Sequence, residues 1–536
     1  MSADEATNVE SVSGGEAIVR ALRDEHVSLV FGIPGTHSLP IYRHLTASGI
    51  RHVTPRHEQG GGYAADGYWR TCGKPGVLIA TTGPGVINAA TAAATAWADS
   101  VPMLIVSPSV PTTVEGRDTG HLHESKDQRG AMNSLVAWSY RATSPADAYL
   151  AVRKAFHHFE TERPRPVHIE VPLDVLGASS PLVPYSTPVK QVLRLYSTEI
   201  EQAASLLVAS DRVTFVLGGG ARRASRSLTE LAERVQASVL TTINGKGVVA
   251  ESHPLSLGSN VRLDPAQKWI ANADVVLAVG TELGESDFWA PVPQFEGQLI
   301  RVDIDEAQIN KNATSTIGIV GDSVAAASSL LRALPFDLNK PRRDLSAIRR
   351  AIADAAHVDG GPYAPICQAL QECLGDEGCL ATDNTMAAYY GAAHLLPLDS
   401  PGRFLFPTGY GTLGYGLPAG IGAKLAKPEL PVIVLIGDGG LLFTIGELAM
   451  ASELKLNLPI VVVNDCGYGE IRRQMKSEGI DPIGVDLCAP NLPALAESFG
   501  LHGERLSSLE QLKSSLSRAL DRDKPSLIEI PWRHQW

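Results

Sequence analysis

No segment of this sequence concentrates lysine or arginine: 46 basic residues are outnumbered by 58 acidic ones, a formal net charge of −12. A chain with that balance and no basic stripe suits neither nucleic acid nor an anionic membrane surface. Long apolar runs are missing too. The longest, "VVLAV" and "PVIVLIG", have the length of a buried strand and fall far short of the roughly 20 residues of a membrane helix. The opening "MSADEATNVESVSGG" is polar and acidic, so no secretory leader is expected. The six cysteines, at 72, 367, 373, 379, 466 and 488, form no CxxC pair and do not gather with histidine. That argues against a zinc site or a disulfide framework and for reduced thiols in a cytoplasmic protein.

What is present is ordinary for a compact protein: 44% hydrophobic and 19% charged residues. At 536 residues the chain exceeds what one hydrophobic core organises. Short apolar runs alternate with helical patterns in three sets. The first holds "SLVFGIPG", "GVLIATTGPG", "PMLIVSPS" and "PVHIEVPLD"; the second "VTFVLGGGA", "SVLTTING", "DVVLAVGTE" and "LIRVDID"; the third "CLATDN", "LPVIVLIGDGG", "PIVVVNDCG" and "PSLIEIPW". Strand then helix, repeated, predicts parallel sheets covered on both faces. The fold class is therefore α/β, with three open doubly wound parallel-sheet domains at 10–177, 195–335 and 361–536. The stretches "ASSPLVPYSTPVKQ" (178–191) and "PFDLNKPRRD" (335–344) read as connections. The first and third sets look architecturally alike.

Ligands of such sheets sit at the carboxyl ends of strands, and the chemistry-bearing residues fall there. "LPVIVLIGDGG" (430–440) leads into a helical pattern and returns through "KLNLPIVVVND", one β-α-β unit. Its two strands should lie close together, aiming Asp438 and Asp465 at one point. Gly437, Gly439 and Gly440 allow close backbone approach, and the following helix offers free N–H groups to an anion. Mg²⁺ takes a few protein oxygens and shares the rest with phosphate, so a Mg²⁺-bridged diphosphate satisfies each part. GDG alone, or ND alone, would be an ordinary turn; both at matched strand ends are not.

GDG followed after about two dozen residues by "ND" resembles the motif of the thiamine diphosphate (ThDP) enzymes that include acetolactate synthases and 2-oxo acid decarboxylases. The resemblance covers essentially the whole chain, in the order pyrimidine-binding, central Rossmann-like and diphosphate-binding domain. It implies Mg²⁺ on Asp438, Asp465 and the carbonyl of Gly467, with Asn464 as the alternative ligand; the family usually has Asn where this chain has Asp465. "TPRHEQGGGYAADGYWRTCGKPGV" (54–77) is similar to the pyrimidine-side motif. Its acid, Glu58, would share a proton with N1′ of the aminopyrimidine and so activate the cofactor. Outside this motif a lone Glu would be read as a surface acid. "FPTGYGTLGYGLPAGIGAKLA" (406–426) implies a wedge at Leu413 between the two cofactor rings, with the Gly411 carbonyl accepting from the 4′-amino group. Asn384, Thr385 and Met386 are further expected cofactor contacts, beside Gly439 and Gly440. A dimer is the minimum active unit that the resemblance implies, because the first domain of one subunit meets the third of another; a tetramer is the family's common state.

For the substrate, the resemblance points to the residues after the metal turn and to a loop of the first domain. Glu470 stands where many relatives have an apolar side chain. A carboxylate in a partly buried pocket is either paired internally, with Arg472 and Arg473 close by, or awaits a cationic substrate. A guanidinium would be a bidentate partner. In "GRDTGHLHESKDQRG" (116–130) the L-H-E replaces the F-Q-E of acetolactate synthases. His121 or His123 resembles the histidines that decarboxylases place near the reacting carbon for proton transfer. Thr36 and His37, in "GIPGTHS" (32–38), form the opposite rim. The expected reaction is non-oxidative decarboxylation of a 2-oxo acid with a cationic tail, 5-guanidino-2-oxopentanoate to 4-guanidinobutanal and CO₂, as in arginine catabolism. Carboligation onto a second carbonyl compound is the alternative. The cluster "VLGGGARRA" (216–224) raises a third possibility, dinucleotide binding, but lacks GxGxxG spacing, and FAD is not expected.

Overall fold

The computed structural model describes residues 11–182, 197–488 and 490–532. By the density of their internal contacts they form two compact units, Met1–Trp69 with Gly73–Gln191, and Arg70–Cys72 with Val192–Trp536.

The first unit is built on six parallel strands, in spatial order Arg51–Val53, Leu29–Gly32, Gly76–Ile79, Met103–Ser109, Val167–Pro172 and Trp138–Arg141. Every residue of Gly76–Ile79, Met103–Ser109 and Val167–Pro172 is buried. Covered on both faces, they show apolar runs in place of alternation. Ser13 caps the helix Gly14–Asp24 by accepting from the Glu16 N–H, and that helix packs its Ile18 and Leu22 into the same core as Phe156 of helix Pro145–Thr161. The stretch expected as a connection from 178 begins as a strand: Ser179–Pro181 pairs antiparallel with Ser11–Ser13. Its residues beyond 182 lie outside the described ones.

The second unit carries two parallel sheets. The central one has five strands, ordered Ser238–Thr241, Val213–Leu217, Val275–Val279, Gln298–Asp303 and Ile317–Val320. The other has six, ordered Phe404–Leu405, Cys379–Thr382, Val432–Gly437, Pro459–Asn464, Ser526–Pro531 and His502–Arg505. Counted along the chain, both six-stranded sheets run 2-1-3-4-6-5. The likeness expected between the first and third sets is therefore one of winding order. In each, chain direction reverses between strands 1 and 3, which opens a crevice at their carboxyl ends.

The glycines of "VLGGGARRA" have a use inside the protein. Gly218 and Gly220 press against Gly280 so closely that a Cβ on any of the three would collide with the facing backbone. Arg301, 1% exposed, donates to the carbonyl of Thr281 at 2.7 Å and to that of Lys311, tying the same loops. The connection 335–344 has no regular structure but is fastened to the central body. Lys340 Nζ donates to the Leu207 carbonyl at 2.8 Å, and the Arg343 guanidinium lies 4.8 Å over the Trp269 ring. Helix Ser346–Gly360 then adds Ile348, Ile352 and Ala356 to the central core. None of the six cysteines, all among the described residues, is in a disulfide, and burial pushes the Cys367 and Cys379 thiols up to about 12.

Candidate functional site

In the second unit, Val432–Gly437 and Pro459–Asn464 are adjacent parallel strands with Gly437 opposite Val463. Asp438 and Asp465 therefore leave the same sheet edge, and the Asp465 N–H donates to Asp438 Oδ1 at 3.3 Å. Asp438 is 1% exposed, and its Oδ2 is buried without a hydrogen-bond partner. Burial, and then the nearby Asp465 carboxylate, push the Asp438 carboxyl up to about 7. Burial also raises Asp465, opposed by Arg472. Two facing acids that resist sharing negative charge, one with a bare buried oxygen, fit a hard divalent cation. Among the described residues no group of three His, Cys, Asp or Glu side chains is placed to hold a metal. A cation here would complete its shell with main-chain and phosphate oxygens, the habit of Mg²⁺.

The alternative ligand, Asn464, is engaged elsewhere. Its Nδ2 donates to buried Glu529 at 2.7 Å and its Oδ1 accepts from the Cys466 N–H at 3.0 Å. Behind the turn, the Arg472 guanidinium stands 3.6 Å from Asp465 and 2.8 Å from Asp486, and reaches the carbonyls of Cys466 and Val485.

Asn384, Thr385 and Met386 are half-buried at the end of strand Cys379–Thr382. Thr385 lies against Gly437 and Met386 against Gly469, so that strand end and the turns at Asp438 and Asp465 come together. Asn384 Nδ2 holds the Thr412 carbonyl at 2.7 Å, and Thr444 Oγ1 holds that of Gly414 at 2.7 Å. Gly411 is exposed and left-handed, φ +65°, a conformation that favours glycine; Leu413 is half-buried. Sequence reasoning passed over Asp383, although it sits in the quoted "TDN". Fully buried, it accepts from the N–H groups of Asn384 at 2.8 Å and Gly416 at 3.0 Å. Burial pushes it up to about 6, opposed by those bonds. It anchors the Gly411–Leu413 loop to the sheet.

Glu470, in the first turn of helix Gly469–Ser477, has an internal partner. Arg473 donates to its carboxylate at 3.1 and 3.2 Å, Tyr390 O–H at 3.0 Å and Gln474 at 2.9 Å. Of the two neighbouring arginines, then, Arg473 takes the ion pair and Arg472 serves the turn at Asp465. A half-exposed i,i+3 pair of this kind contributes only about 0.2–0.5 kcal/mol.

The first unit holds the other expected residues. Glu58, the first residue of helix Glu58–Cys72, is 6% exposed and accepts from Asn88 Nδ2 at 2.9 Å. A Cβ on Gly85 would lie 3.1 Å from its Oε1. His37, His121 and His123 converge: the His37 ring centroid is 6.0 Å from that of His121 and 5.2 Å from that of His123. His37 is buried, with Nδ1 2.9 Å from Thr82 Oγ1, and burial followed by its two neighbours lowers its pKa. Thr36 beside it is exposed. Glu124 accepts from the backbone N–H groups of Thr119 and His121 at 3.0 Å, shaping the loop. Gln128 was not singled out from the sequence. Buried, it accepts from the Gly83 N–H at 2.7 Å and donates to Glu170 at 2.8 Å, so it fixes the turn that carries Thr82. Nothing in its spacing signals that role.

Family comparisons agree with this arrangement. Residues 12–131 match the N-terminal TPP binding domain of the thiamine pyrophosphate enzymes, 200–330 the central domain and 385–530 the C-terminal TPP binding domain; thiamine pyrophosphate is ThDP under its other name. The chain is 40% identical to the probable 2-ketoarginine decarboxylase AruI of Pseudomonas aeruginosa, over 97% of this chain and 94% of that one. It is 33% identical to a probable acetolactate synthase large subunit of Methanocaldococcus jannaschii, over 97% and 92%. With the acetolactate synthase isozyme 1 large subunit of Escherichia coli the identity is 30%, over 97% and 93%. With its two acids at one sheet edge, its buried Glu58 and all three domains matched in order, the chain belongs to the thiamine pyrophosphate enzymes.

Proposed function

We propose that this enzyme decarboxylates a 2-oxo acid with a cationic tail, 5-guanidino-2-oxopentanoate (2-ketoarginine), to 4-guanidinobutanal and CO₂, a step of arginine breakdown in the cytoplasm. The observation that carries the substrate is Glu470, a carboxylate held on the helix that leaves the metal turn. The 40% identity to a probable 2-ketoarginine decarboxylase supports the same choice.

Bound ThDP supplies the electron sink for loss of CO₂. Asp438, Asp465 and the Gly467 carbonyl would hold Mg²⁺ against the diphosphate, with Gly439 and Gly440 leaving room for it and Asn384, Thr385 and Met386 alongside. Leu413 and the Gly411 carbonyl would set the cofactor's bend, and Glu58 would hold a proton at N1′ of the aminopyrimidine. His37, kept neutral by burial, and His121 and His123 would carry the proton that replaces CO₂ on the substrate carbon; Thr36 would line the rim. We place each working site between two subunits, Glu58 from one and Asp438 from the other, in a dimer or tetramer. Exposed Leu122, between the two loop histidines, and exposed Tyr410 and Phe443, beside the Gly411–Gly414 loop, support that placement, since a subunit interface would cover such apolar side chains.

The test is CO₂ release by purified holoenzyme across pyruvate, benzoylformate, 2-oxoisovalerate and the guanidino acid, with Glu470→Gln alongside. Preference for the guanidino acid that disappears in the variant supports the proposal; preference for pyruvate, unchanged in the variant, refutes it. Similarity to acetolactate synthases keeps a second reading, carboligation. Product analysis with an added aldehyde or 2-oxo acid acceptor distinguishes the two.

A further inference from the structure

The environment of Glu470 is uneven. Its Oε1 takes the Tyr390 hydroxyl, Arg473 Nη2 and Gln474 Nε2 at 2.9–3.1 Å. Its Oε2 takes Arg473 Nε alone among the described residues, at 3.2 Å. Arg473 has a second set of partners. Asp359 lies 3.6 Å from its Nη1, and the guanidinium sits 4.7 Å over the Tyr390 ring. Arg262 shares that ring from 5.1 Å and stacks on Trp289 at 4.3 Å. The Arg473 side chain is 48% exposed, that of Glu470 18%. The acid is thus the fixed, enclosed member of the pair and the arginine the movable one, with somewhere else to go.

We propose that Arg473 is a placeholder for the substrate's tail. It offers Glu470 a guanidinium, the group that the expected substrate carries. In the empty site it neutralises the carboxylate; when substrate enters, the incoming guanidinium takes over Glu470 and Arg473 falls back on Asp359 and the Tyr390 face. Exchange of like for like keeps every charge partnered. A neutral tail cannot make the exchange without leaving Glu470 or Arg473 short of a partner, and an ammonium tail would replace the planar fork with a single point charge. Selectivity then resides in the ease of displacing Arg473 as well as in Glu470 itself. This inference rests on the substrate class proposed above.

The experiment compares the holoenzyme with its Arg473→Met and Asp359→Asn variants. KM is measured for 5-guanidino-2-oxopentanoate and for its neutral isostere 5-ureido-2-oxopentanoate, and calorimetry follows binding of the inert 4-guanidinobutanoate, which gives the answer even where turnover is lost. Removing the competitor in Arg473→Met should lower the guanidino-to-ureido KM ratio by about two- to fivefold, and removing its refuge in Asp359→Asn should raise that ratio by a similar factor. A ratio unmoved in both variants, or one that rises in Arg473→Met, overturns the exchange while a guanidino preference in the wild type leaves the decarboxylase reading standing. A wild type that does not distinguish the two tails overturns both.

Discussion

Glu58 and Asp438 are both buried acids, and each meets a different demand. Glu58 has one oxygen on Asn88. Glu58→Gln keeps its size but removes its proton exchange, so kcat should fall by about 10²–10⁴-fold while ThDP affinity, followed by quenching of intrinsic fluorescence, changes little. Asp438, pushed up to about 7, must lose its proton to bind a cation. Mg²⁺ affinity in calorimetric titration should therefore weaken as pH falls below about 7. The same shift acts on stability with a definite sign. The folded metal-free protein holds a proton that the unfolded chain releases from its ordinary value of 3.8, so its melting temperature should fall as pH rises through 4 to 7. Mg²⁺ with ThDP should restore it most above 7. Asp438 stood out in the sequence because an acid between glycines just beyond an apolar strand suits a metal-bridged diphosphate, whereas Glu58 stood out only through the resemblance of its motif. The partner of Glu470 did not. Arg472 and Arg473 are equally near along the chain, and only helix geometry sends the i,i+3 residue to Glu470 and its neighbour to the turn.

At the scale of elements, the site depends on loops anchored by backbone hydrogen bonds. Asp383 is the clearest anchor: Asp383→Ala would leave the N–H groups of half-buried Asn384 and buried Gly416 without their acceptor, costing about 2–4 kcal/mol in urea unfolding and loosening the Gly411–Leu413 loop, which should show as weaker ThDP binding. Such a residue is hard to see in a sequence, since it acts on main-chain groups that every residue has. The β-α-β unit around Asp438 was easy to see, because strands buried on both faces show as unbroken apolar runs. The glycine cluster at 218–220 lacks nucleotide-motif spacing, and Gly218 and Gly220 serve the crossing at Gly280; a close approach between loops and a close approach to phosphate ask for the same residue. The segment Ala387–Ala392, wound as a wider π-type turn, carries Tyr389 and Tyr390 toward Trp289 and Arg473. Irregularity of this kind often marks functional positions.

For the whole molecule, the proposed sharing of each site between subunits makes a quantitative claim. Glu58→Gln and Asp438→Ala should each be inactive alone. Co-refolded in equal amounts, they should recover about a quarter of wild-type activity, since half the dimers are mixed and one of their two sites is intact. No recovery would place both acids of a site on one chain. The two six-stranded sheets that carry those acids share one strand order, 2-1-3-4-6-5. Because both sheets are translated as one polypeptide, they are always made in equal number, and a cell can never produce one without its counterpart.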